Sequence, residues 1–139
     1  MLCNIDDFPA KQGHFYLAPF LDLKREAGLG GLIATTQLKV TRRWLERDAS
    51  KAVSNFYKQA GLNLQLENAM PYKLEDLIWG IEALLGDAAP NPIGDPGFAV
   101  FGSKDPLVDS NVMKQFFPKN TVLEGEGHRL EALRNALNL

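Results

Sequence analysis

Residues 98–110, FAVFGSKDPLVDS, set the tightest limit on what this chain can become. A short continuous apolar run, Phe98 to Phe101, is the texture of a parallel strand buried on both faces. It stops abruptly at Gly-Ser-Lys-Asp-Pro, where Gly102, Ser103 and Pro106 favour a tight turn. Asp109 to Phe117 then has a helical pattern, Thr121 to Leu123 reads as a second strand, and Leu130 to Leu139 as a closing helix. Strand, helix, strand, helix is the signature of a parallel sheet covered by helices, so an α/β fold with a short parallel sheet is expected.

Upstream the texture differs. Gly13 to Leu23, GHFYLAPFLDL, is dense in aromatic and aliphatic residues and reads as a buried strand running into a loop. After AGLGG at 27–31, apolar residues recur at Leu32, Ile33, Val40, Trp44 and Leu45 between basic ones, which predicts an amphipathic helix. DASKAVSNFYKQAG predicts a second, capped by Asp48 and ended at Gly61. Lys73 to Leu85 keeps a 3.6-residue apolar spacing until Gly86, a third. GDAAPNPIGDPG, residues 86–97, is punctuated by glycine and proline and reads as a linker. Three regions follow: an N-terminal strand segment over 1–23, a helical cap over 24–86, and an α/β portion over 87–139.

Composition closes off several function classes. The 139 residues are enough for one core burying roughly two-thirds of the unfolded surface. With 15 basic against 17 acidic side chains there is no electrostatic footprint for nucleic acid. The single cysteine, Cys3, excludes an internal disulfide and a multi-cysteine metal site. MLCNIDDFPAK lacks the pattern of a signal peptide, and no apolar stretch approaches the about 20 residues of a membrane helix. A soluble, cytoplasmic protein is expected, with neither a membrane nor a nucleic-acid partner.

The chemistry concentrates at the strand ends. In an open parallel sheet, catalytic groups gather where strands finish at their carboxyl edge. Asp105 follows the first strand there, and His128 follows TVLEGEG, where Gly125 and Gly127 let the backbone bend. Adjacent strands would bring the carboxylate to the imidazole, fixing its tautomer and stabilising the imidazolium formed when the other nitrogen takes a proton. Each residue alone has an ordinary reading, a turn aspartate and a solvated histidine; their equivalent placement on successive strands carries the functional one.

Other residues compete less well. Cys3 lies in MLCNIDD, without a strand-to-helix turn to lower its pKa. His14 opens an apolar strand with no evident acidic partner. Asp6, Asp7 and Asp22 are oxygen ligands in type, but sit on separate turns and do not compose a metal site. No metal or cofactor is expected. Trp44, Phe56, Tyr57 and Trp79 have helical spacing and read as core and cap-packing residues.

FAVFGSKDPLVD, a helix, a short strand and GEGH before a final helix together resemble the C-terminal portion of the α/β-hydrolase family. TTQLKVTRRWLERDASKAVSNFYKQAGL is similar to the cap of the carboxylesterases that cleave pimeloyl-carrier-protein methyl ester in biotin synthesis. The resemblance implies a carboxylic ester hydrolase of the Ser, Asp, His kind, with Asp105 orienting, His128 as general base, and the cap helices framing an acyl pocket. A small acyl ester or an acyl-carrier protein would be the substrate. Two parts of the family pattern are missing: the glycine-rich oxyanion loop, and the nucleophile elbow, since Ser50, Ser54, Ser103 and Ser110 are the only serines and none sits in G-x-S-x-G. The expectation is therefore the latter part of an esterase, completed by a nucleophile-bearing segment in a longer chain or a partner. The alternative is a non-catalytic binding module derived from such an enzyme. A sheet this small leaves an edge unpaired, so a homo-oligomer or a partner chain is expected as well.

Overall fold

A computed structural model describes residues 15–62, 72–87 and 97–136. The described residues form a three-stranded parallel sheet in the order β1 (Phe15–Leu17), β2 (Phe98–Gly102), β3 (Lys119–Leu123). Between β1 and β2 in the chain come three helices, α1 (Thr35–Arg47), α2 (Ala49–Gln59) and α3 (Leu74–Leu85). After β2 come the single turn α4 (Ser110–Met113), β3, and α5 (Leu130–Asn135). The α/β class with a short parallel sheet and a helical layer is thus the observed architecture. None of the described helices is long and apolar enough to cross a membrane.

The central strand explains the layering. Along β2 the side chains alternate: Ala99 and Phe101 join the main core with Leu38, Leu45, Ala52, Ile81 and Met113, whereas Val100 packs with Ala18 and Leu133 on the other face. One face of the sheet and helices α1–α3 thus contribute to one core, while α5 packs on the other face. Phe101 also lies against Phe117, whose ring meets Tyr16 of β1. Full burial of side chains such as Leu38 and Leu133 contributes about 1.5–3 kcal/mol each.

The outer elements differ from their sequence pattern. Among the described residues the first strand is an edge strand of three residues, and Phe15 at its start is exposed rather than buried. Leu32 and Ile33 precede α1 in an extended segment; Ile33 exchanges hydrogen bonds with Leu23 and Arg25. The buried face of α1, which packs against α2 and α3, is Leu38, Thr41 and Leu45, and Val40 lies off it at 59% exposed. Trp79, expected to pack, is 72% exposed on α3. Most of the 86–97 segment, with Cys3, Asp6, Asp7 and His14, lies outside the described residues.

Helix ends show where the chain satisfies its orphan backbone groups. Asp48 caps α2 by accepting the Lys51 N–H, as the sequence predicts. At α1 the residue preceding the helix is Ala34, which has no capping side chain; Glu26 supplies the carboxylate instead, accepting from the Thr35 N–H and Oγ–H. At the far end of α3, the Lys24 ammonium donates to the Leu85 and Gly86 carbonyls, with Asp22 beside it at 3.5 Å. Asp22 is thus engaged in an ion pair and a bond from the Lys24 N–H, not poised as a cation ligand.

The Glu26 cap makes a pH prediction. Its own backbone N–H, then the Thr35 hydroxyl and N–H, hold its carboxyl below the ordinary value of 4.5. The folded form is the stronger acid, so the contribution is fully present above that value and is lost as the pH falls through the lower, folded value. Urea midpoints measured from pH 7 downward should fall below about pH 4.5, and less steeply in Glu26→Gln; the exposed site is solvent-screened, so the difference should be modest.

Candidate functional site

Three loops meet at the carboxyl edge of the sheet. β2 and β3 pair in parallel with Gly102 opposite Leu123, so the segments that leave them start side by side. Asp105 lies in the first and His128 in the second. His128 Nδ1 is 2.7 Å from Asp105 Oδ2, with side-chain exposures of 18% and 1%. The two residues singled out from the sequence are therefore in direct hydrogen-bond contact.

The carboxylate is held from both sides. Its Oδ1 accepts the Leu107 N–H at 2.8 Å, a turn across Pro106 of the kind aspartate forms with the backbone two residues on. Each oxygen thus has a donor, which compensates its burial. Beyond the turn, Leu107 O accepts the Leu32 N–H at 2.9 Å and Gly30 O accepts the Asp109 N–H at 2.7 Å. The glycine-rich 27–31 stretch is therefore a buttress for the acid loop. Gly31 is required there, since a Cβ would stand 2.3 Å from the carbonyl oxygens of Asp22 and Leu23.

The histidine loop is zipped to the acid loop by backbone contacts. The Ser103 N–H donates to Leu123 O at 3.0 Å and the Lys104 N–H to Glu126 O at 2.8 Å. The Gly125 N–H donates to Ser103 Oγ at 2.8 Å, and Gly125 itself takes a left-handed φ of 78°. Gly102 makes the approach possible: a Cβ there would lie 2.4 Å from the carbonyl oxygens of both Glu126 and Gly127. These contributions of Gly31, Gly102 and Ser103 were not anticipated from the sequence. The glycine density was visible, but its partners are distant in the chain.

Chemically, the arrangement can position one proton acceptor. With Nδ1 bonded to a carboxylate, the neutral ring keeps its proton on Nδ1, and Nε2 is left as the nitrogen able to take a proton from a reactant. Among the described residues the ring makes its hydrogen bond through Nδ1. Of the serines, Ser103 is engaged with Gly125, Ser110 is buried at the start of α4, and Ser50 and Ser54 lie within α2. Among the described residues no group of three or more His, Cys, Asp or Glu side chains could hold a metal ion. The second helix ends close by, with Gly61 positioned next to Pro106. Compared with known proteins, the chain matches no family model and no curated protein.

Gly102→Ala tests the close approach of the two loops. Overpacking against backbone that cannot rotate away should lower stability by about 1–3 kcal/mol in urea unfolding. Gly125→Ala places its methyl in open space and carries the strain of its left-handed backbone alone.

Proposed function

We propose that Asp105 and His128 are the acid and base of a carboxylic ester hydrolase of the Ser-Asp-His type, whose nucleophile comes from a further polypeptide segment. The observation that supports this reading is the 2.7 Å contact between His128 Nδ1 and the all but fully buried Asp105 carboxylate at the carboxyl edge of a parallel sheet. A solvated histidine at an ordinary turn needs no such partner.

In this reading His128 Nε2 takes the proton of a serine hydroxyl as it attacks the ester carbonyl, then delivers it to the departing alcohol. Asp105 holds the ring and stabilises the imidazolium between the two transfers. In this reading the α1–α3 helices would be the cap that frames the acyl group. The likeness to carboxylesterases of biotin synthesis nominates a small acyl ester, free or on a carrier protein. The described chain offers no nucleophile elbow, and without one the acid and base have nothing to activate.

The test is reconstitution. The chain joined to, or mixed with, a segment carrying a G-x-S-x-G elbow should hydrolyse short acyl esters. Asp105→Asn and His128→Ala should each reduce kcat on the order of 10³- to 10⁴-fold. Hydrolysis unchanged by His128→Ala would contradict the reading.

A second reading, a non-catalytic binding module, is favoured by α3. That helix is apolar over most of its length, yet Ile81 is its one buried residue, and Trp79, Leu74 and the preceding Tyr72 are exposed. Apolar surface of this kind marks association sites. With Trp44 replaced by Phe, fluorescence reports Trp79; addition of an apolar dye should quench or blue-shift it if α3 binds apolar partners, and an unchanged spectrum would count against this reading.

A further inference from the structure

The acid and histidine loops contact each other mainly through backbone groups; one side-chain link stands out. Ser103 Oγ accepts the Gly125 N–H at 2.8 Å, from a residue two before the acid to one three before the histidine. Gly125 turns its loop with a backbone in the left-handed region. Fixing its amide sets the direction in which Glu126 and Gly127 leave. Those are the residues whose carbonyls press against Gly102 and whose Glu126 O accepts the Lys104 N–H.

We infer that Ser103 is a positioning residue for His128: its hydroxyl fixes the Gly125 turn and so sets the reach of the imidazole to Asp105. The inference rests on reading Asp105 and His128 as the working pair, and makes Ser103 a determinant of that pair, not its nucleophile. Two features of Ser103 support this. Its own N–H is already committed to Leu123 O, so backbone and side chain grip the histidine loop at two points. Its half-exposed position also means that the hydroxyl is not needed to fill the core.

The experiment follows protons on the isotopically labelled full chain by NMR, without recourse to activity. In the wild type, the His128 Nδ1 proton should appear as a low-field, slowly exchanging signal, since it is bonded to a nearly buried carboxylate. Ser103→Ala should accelerate exchange of both the Gly125 amide and the His128 ring proton about fivefold to tenfold, the fold-change expected for one lost hydrogen bond. Ser103→Thr, which keeps the hydroxyl, should restore wild-type exchange. Asp105→Asn should change the ring-proton signal and leave the Gly125 amide protected.

Ring-proton exchange within about twofold of wild type in Ser103→Ala would overturn the inference. So would Ser103→Thr behaving like Ser103→Ala, which would assign the effect to packing. A wild type without a protected ring proton would remove the Asp105–His128 bond itself. Failure of ester hydrolysis in a reconstituted enzyme would leave these exchange rates standing, so the two ideas fail separately.

Discussion

The structure depends on a strand buried on both faces. β2 has a neighbour on each side for its hydrogen bonds, and alternating side chains send Ala99 and Phe101 into one core and Val100 into the other. A parallel strand of this kind is buried on both faces, and here one face opens on the core shared with α1–α3 while α5 packs on the other. Its end at Gly102 is then a fixed point from which the acid loop must start. Anything placed just past that end inherits the rigidity of the sheet.

Rigidity at that edge gives the Asp105–His128 contact its meaning. A carboxylate brought out of water is costly unless paired, and here it is paired with an imidazole and a backbone N–H. The loops carrying the pair are in turn held by the glycine-rich 30–31 segment on one side and by Ser103, Lys104 and Gly102 on the other. A site assembled from three loops and locked by backbone hydrogen bonds needs few conspicuous side chains.

The sequence makes some of this legible and hides the rest for definable reasons. The four apolar residues of β2 and the glycine that ends it are local signals, as are the Asp48 cap and the spacing of α3, and these elements lie where their patterns place them. The meeting of Asp105 and His128 could be anticipated because a parallel register sets the two strand ends side by side. Exposure of Val40 and Trp79 could not, since which face of an apolar helix is covered depends on partners elsewhere in the chain. The same is true of the Lys24 cap on α3, formed across 61 residues, and of the Glu26 cap on α1, across nine. Gly31 and Gly102 read as loop residues in sequence; that they admit another backbone at contact distance is a tertiary fact.

The account turns on how the histidine carries its proton. Long-range ¹H–¹⁵N NMR of the ring, at a pH where it is neutral, distinguishes the two nitrogens directly, and comparison with His14→Asn separates the chain's two histidines. If His128 is oriented by Asp105 as the structure has it, the proton resides on Nδ1 and Nε2 shows the shift of a bare acceptor nitrogen. A ring protonated at Nε2, or one averaging between tautomers, would contradict the account.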